Sequence, residues 1–198
     1  LSLSLSLYLS LSLSLSLSLS LCSAIEVFIC VDASVDLEKM ENEDEAEQLR
    51  ERALMHKKEG DLAKAIELMA WSLELRRKYL SQWHPLVLKT LNDLVNWRID
   101  AQQWSEALTL GEELLEGYEK NYPPNWPITG LQHAMVGKLH WYLQNSREAV
   151  RALEKAIKVL SITHGGGHPL VKELANLLHE AETELAYQQT TTTTKKAI

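Results

Sequence analysis

Cysteine is scarce in this chain of 198 residues: Cys22 and Cys30 are the whole supply. Two thiols cannot build a disulfide framework or a cysteine zinc cluster, and a reducing compartment, cytoplasmic and/or nuclear, is the expectation. No run of about 20 predominantly apolar residues occurs, which argues against a membrane span. Leu1 to Ser20 holds nine serines and Ile25 to Val31 is too short. The basic n-region and unbroken apolar core of a signal peptide are missing as well. Nor is there a concentrated basic patch. The net charge is -7 and comes mostly from Asp36 to Glu47, where seven acids face one base, Lys39. Nucleic acid is therefore a poor partner, because phosphate binding needs clustered Lys and Arg.

Catalytic sets are equally thin. His164-Gly165-Gly166-Gly167 has the form of an esterase oxyanion loop, but no Gly-x-Ser-x-Gly supplies a nucleophile. These glycines are expected to end a helix, where positive φ is wanted. His133 and His140 lie seven residues apart on one helix, yet no His-Glu-x-x-His or carboxylate set accompanies them, so packing and capping are their expected roles. No catalytic residue and no metal ligand is assigned.

What the chain has is a repeat. Pro85, Pro127 and Pro169 recur at 42-residue intervals, and Ala65, Ala107 and Ala149 keep the same period. Twelve positions before each alanine stands Ala53, Val95 or Gly137. Compact residues at paired positions let two helix backbones approach, the logic of a helix-turn-helix hairpin. The fold class expected is all-α: a tetratricopeptide-like solenoid with 42-residue units and a C-terminal capping helix. Residues 46–188 are expected to form it. Residues 1–45, the Leu-Ser run and the acidic linker, are expected to be disordered or artefactual. A CT dinucleotide tract read in frame would yield the Leu-Ser run, so an unspliced or mispredicted gene start is the expectation, the chain being either a fragment from a broken gene model or a stand-alone paralogue. Residues 189–198 are expected to be a disordered tail.

Within the solenoid, the first A helix is expected over Ala46 to Lys58, closed by Gly60, with Asp61 capping its B partner. That partner carries Ala65, Ile66, Met69 and Leu73 at helical spacing. His84-Pro85, Pro127 and Pro169 open later A helices. Asn145 with Glu148 reads as a capping box. The last helix, Leu170 to about Tyr187, ends in Glu180, Glu182 and Glu184 and reads as a polar cap. Six tryptophans, Trp71, Trp83, Trp97, Trp104, Trp126 and Trp141, are expected to fill gaps between helices.

One polar pattern suggests a site. Lys89, Asn92 and Asn96 fall at i, i+3 and i+7 on the second A helix, and Lys138 is the repeat equivalent of Asn96. A helices line the concave face of a solenoid, and amide and ammonium groups suit a peptide backbone or terminal carboxylate. These four are the candidate peptide-binding residues, with an ordinary solvated helix face as the alternative.

The segments GYEKNYPP (Gly117 to Pro124), GLQHAMVGKLHW (Gly130 to Trp141) and ITHGGGHPLVKEL (Ile162 to Leu174) resemble the C-terminal helical region of the SET and MYND domain lysine methyltransferases. The resemblance covers Ala46 to Tyr187. It implies a domain that packs against a catalytic SET lobe, helps wall the substrate groove and offers a surface to protein partners, a chaperone C-terminal tail among them. The family's zinc-binding MYND cysteines, SET cofactor and tyrosine motifs and post-SET segment have no counterpart here. S-adenosylmethionine and zinc are thus expected only in family domains outside this chain, and no activity is expected of it alone. HPLVLKTLNDLV (His84 to Val95) is also similar to the 42-residue repeats of kinesin light chains, which implies the alternative of a stand-alone peptide-binding adaptor.

Overall fold

The computed structural model describes the backbone of residues 37–196 and the side chains of 42–188. The Leu-Ser run, both cysteines and the Ile25 to Val31 stretch lie outside the described residues. Every regular element among the described residues is an α-helix. The chain divides into two compact units, residues Ala33–Pro123 belonging to one and Pro124–Ile198 to the other.

The first unit holds α1 (Leu37–Glu59), α2 (Leu62–Tyr79), α3 (Pro85–Asp100) and α4 (Trp104–Asn121); the second holds α5 (Pro127–Tyr142), α6 (Ser146–His164) and α7 (Pro169–Lys196). B helices start at residues 62, 104 and 146, and the A helices α3, α5 and α7 start at 85, 127 and 169, so each series advances by 42.

The turn that joins A to B has one chemistry used three times. Gly60, Gln102 and Gln144 take left-handed φ values of 90°, 59° and 61°. The N–H after each reaches back to close the helix: Asp61 to the His56 carbonyl at 2.9 Å, Gln103 to Arg98 at 2.8 Å, Asn145 to His140 at 2.9 Å. These are the 6→1 bonds that satisfy orphan carbonyls at a helix C-terminus. Asp61 then caps α2 by accepting from the Lys64 N–H at 3.1 Å. Asn145 does not repeat this: its side chain makes no capping bond, so the expected capping box is not formed.

Histidine serves at two of the three junctions that lead from a B helix into an A helix, the third having Trp126 with no side-chain cap. His84 Nδ1 accepts from the Leu86 N–H, and His168 Nδ1 from the Leu170 N–H, each at 3.3 Å. Each stands before a proline whose missing N–H would have been unsatisfied in the first turn anyway. His133 and His140 are buried along α5. The His164-Gly-Gly-Gly stretch ends α6, Gly165 taking φ 87°.

Ala53, Ala65, Val95 and Ala107 are fully buried in the first unit, and Ala149 in the second. In the second unit Ala149, Leu153, Ala156 and Leu160 of α6 meet Val171, Leu174, Leu177 and Ala181 of α7. A Cβ on Gly137 would lie 2.9 Å from Leu153 Cγ and 3.2 Å from the Leu153 backbone nitrogen, so glycine is what lets α5 touch α6 there. Along α7, Glu180, Glu182 and Glu184 are exposed.

Three expectations need correction. The first A helix begins at Leu37, not Ala46, because the acidic run is neutralised: Glu43 and Glu47 pair with Arg76, and the Ala46 carbonyl accepts from Ser72 Oγ at 2.7 Å. The last helix continues to Lys196 instead of stopping near Tyr187. And Trp71 fills no gap, standing 69% exposed on α2.

Candidate functional site

Three of the four candidate residues share α3, and the fourth lies in the other unit. Lys89 is exposed, while Asn92 and Asn96 are half-buried. The Asn96 side-chain oxygen is buried and accepts no hydrogen bond among the described residues, which costs on the order of 1–3 kcal/mol.

Acidic residues of α3 flank these groups and are tied to α1. Asp93 accepts from Arg50 Nε and Nη2, both at 3.3 Å. Asp100 accepts from Lys57 Nζ at 2.8 Å, and the same ammonium lies 4.9 Å from the Trp97 ring centre. Both pairs span 43 residues and sit seven apart on each helix, so α1 and α3 run side by side in the same direction. Burial pushes the Asp93 carboxyl above its ordinary value, although Arg50, Lys89 and Lys57 pull the other way.

Lys138 is elsewhere engaged. Its side chain is 4% exposed and its Nζ donates to Glu173 Oε1 of α7 at 2.8 Å. The expected ligand ammonium is thus committed to joining α5 and α7.

Sequence reasoning missed the hub of the first unit. Arg76 is 1% exposed. Its guanidinium donates to Glu43 Oε1 from Nε at 3.1 Å and from Nη2 at 2.8 Å, and also reaches Glu47 Oε2 and Thr90 Oγ1. One side chain of α2 thereby clamps α1 and α3. Burial works against the Glu47 carboxylate, but hydrogen bonds and charge from Arg76 and Arg50 outweigh it and hold the carboxyl below its ordinary value. The available signal was spacing: Arg76 continues the buried stripe of Ala65, Met69, Ser72 and Leu73, and Glu43 and Glu47 are one turn apart.

Among the described residues no three His, Cys, Asp or Glu side chains converge into a group that could hold a metal ion. No helix among the described residues is long and apolar enough to cross a membrane.

No protein-family model matches the chain. It is 36% identical over 129 residues to the histone-lysine N-methyltransferase ASHR1 of Arabidopsis thaliana, covering 65% of this chain and 27% of that protein. It is 26% identical over 155 residues to the N-lysine methyltransferase SMYD2 of Rattus norvegicus, covering 72% of this chain and 35% of that one. This helical region is related to the SET and MYND domain lysine methyltransferases. The chain spans about a third or less of the length of these family relatives. Among solved structures, a putative kinesin light chain of Podosopora anserina with tetratricopeptide-like repeats superposes with a TM-score of 0.59 at 20% identity, covering 75% of this chain and 70% of that one. BtubC from P. vanneervenii gives 0.55 at 14% identity, covering 77% and 65%. The fold of the family-related region is tetratricopeptide-like and all-α.

Proposed function

We propose that this chain is a helical regulatory and protein-interaction domain of a SET and MYND type lysine methyltransferase, with the methyl transfer carried by other parts of the full-length protein. The observation that carries the reading is the similarity to SMYD2 over 155 residues, 72% of this chain. Its partners are proteins: a catalytic SET lobe in cis, and an extended peptide in trans, an acidic chaperone-type C-terminal tail being the form that Lys89 suits best. Location in the cytoplasm or nucleus belongs to the same proposal.

For the peptide, α3 offers Lys89 to a carboxylate, and Asn92 and Asn96 to the backbone. Side-chain amides suit a peptide backbone because each carries both donors and an acceptor. Lys138 is left out because Glu173 already neutralises it.

The test is calorimetric titration of peptides ending in acidic residues into the parent, Lys89→Glu and Asn96→Ala proteins. The parent should bind, weakly and less well in salt, since exposed charges are screened over about 10 Å at 0.1 M. Both variants should lose affinity at unchanged helicity. Equal affinity for all three would refute the α3 site. Alongside, the purified chain should hold no stoichiometric zinc, show no heat with S-adenosylmethionine and methylate nothing; turnover by the chain itself would overturn the division of labour.

A further inference from the structure

The bases of the two units are employed differently. In the first, Arg50, Lys57, Arg76 and Arg77 each close an ion pair to a neighbouring helix. In the second, Arg147, Arg151, Lys155 and Lys158 of α6 are all exposed, and none of them makes a hydrogen bond or an ion pair among the described residues. At 100° per residue these four fall within an arc of about 80° and extend over about 16 Å of the helix. Glu148 and Glu154 are the carboxylates of α6. The same rotation sets them about 20° outside the arc, one at each edge, and neither pairs with a base. Counted whole, the outer face of α6 carries four bases to two carboxylates. Glu180, Glu182 and Glu184 of the adjoining α7 are exposed as well, and none of them reaches these bases within ion-pairing distance. Arg147 with Arg151, and Arg151 with Lys155, are like charges four residues apart, an arrangement that weakens a helix, so the stripe does not serve α6 itself.

From this geometry we infer that the outer face of α6 is a docking surface for an acidic segment of a partner protein, whose Asp and Glu side chains pair with Arg147, Arg151, Lys155 and Lys158. Charge complementarity selects the sign of the occupant. The steps of about 6 Å between Arg147, Arg151 and Lys155 suit carboxylates on alternate residues of an extended chain, which lie about 6.6 Å apart. A protein fits better than a nucleic acid. Ile162, on the same arc one turn beyond Lys158, is 64% exposed and offers an apolar contact to a side chain. The face has no aromatic ring on which a base could stack, and its edge carboxylates repel a continuous phosphate backbone. The inference goes beyond the α3 reading: it concerns the other unit, and it takes carboxylate side chains along a segment with no need of a chain end.

The experiment uses the full chain and two twelve-residue peptides, acetylated and amidated so that no chain end is charged, one with six glutamates and one with glutamine in their place. By calorimetry the glutamate peptide should bind, less tightly as salt rises. Arg151→Glu with Lys155→Glu should weaken it by about ten-fold, two exposed ion pairs being lost and turned repulsive. These side chains project into water, so helicity and melting temperature should hold. Lys58→Glu with Lys78→Glu makes the same change in net charge at exposed positions of the first unit and should leave the affinity within about two-fold. An equal loss there would mean that net charge governs binding, and would overturn the site. Lys89→Glu should leave it unchanged too, so that the α3 reading can fail while this one stands; a loss through Lys89 with none through α6 would move the peptide to α3 and overturn the inference. Equal binding of the glutamine peptide, a single-stranded oligonucleotide held more tightly than the glutamate peptide and lost in the same α6 variant, or no binding by the parent would overturn it equally.

Discussion

The two units are built on one repeat and held together by different means. In the first, charged side chains cross between helices: Arg76 to Glu43 and Glu47, Arg50 to Asp93, Lys57 to Asp100, Arg77 to Glu113. In the second, Lys138 of α5 also pairs with Glu173 of α7, but most of the contact comes where glycine and alanine let helices approach, with Gly137 against Leu153 and Gly130 against Val159 and Leu160, and from the apolar seam that joins α6 to α7. The same register position is Val95 in one and Gly137 in the other. A repeat therefore prescribes where helices start and turn, while leaving open whether they are joined by ion pairs or by close packing.

The largest effect should come from Arg76→Ala. Removing one partner of a buried ion pair typically costs 3–5 kcal/mol, but water can reach Glu43 and Glu47, whose side chains are 31% and 43% exposed, so about 3 kcal/mol is expected. Chemical denaturation followed by circular dichroism measures it; a loss below that of an ordinary surface substitution would mean that the clamp is not structural. The converse lesion is Gly137→Val, which installs the residue of the preceding repeat. It should overpack against Leu153 and cost about 2 kcal/mol. If it is neutral, the close approach of α5 and α6 is not required.

Acid should separate the two constructions. The Glu47 carboxyl is held below its ordinary 4.5, so its contribution is complete above that pH and is lost as pH falls through the lower folded value. His84 is lowered from 6.5 chiefly by burial, with Glu43 opposing and Arg76 assisting; its stabilisation is complete above 6.5 and is lost on acidification below it. Protonation would also occupy the Nδ1 that caps α3. Asp93, raised above 3.8, works with the opposite sign, favouring the fold as pH drops. Stability against pH should therefore slope downward from 6.5 toward acid, and His84→Asn, which keeps a capping acceptor, should flatten the upper part of that slope. An unchanged slope would remove His84 from the account.

The smallest effect concerns the shared turn. Gln102 and Gln144 hold the left-handed conformation that Gly60 adopts without strain. Replacing each by glycine should gain about 0.5 kcal/mol, relief of strain being partly offset by the greater freedom of the unfolded chain. A loss on thermal unfolding would mean that the glutamine side chains contribute more than their backbone costs.

What was legible in the sequence was what a few neighbouring residues decide. Pro85, Pro127 and Pro169 mark helix starts because proline fits only the first turn, and the paired small residues mark hairpin contacts because size is a local property. Long-range pairing was not legible. Glu43 and Arg76 are 33 residues apart, so the acidic run resembled a solvated linker until the fold brought its base into place. Lys138 looked available for the same reason, Glu173 lying 35 residues on. Trp71 could have been read correctly: Glu67 and Glu74, a turn before and a turn after, already marked its side of α2 as the wet one.

The two ion pairs between α1 and α3 act as a vernier. Because Arg50 and Lys57 have the same separation as Asp93 and Asp100, only one alignment of the two helices closes both. Sliding by one turn would break both pairs together. Residues added in the loop at 80–84 would leave that alignment intact, whereas a single residue added between Arg50 and Lys57 would swing one partner around the helix by about 100°. Length variation in this unit is therefore tolerated between helices and penalised within them, and the penalty falls on the A helices that carry the candidate peptide face.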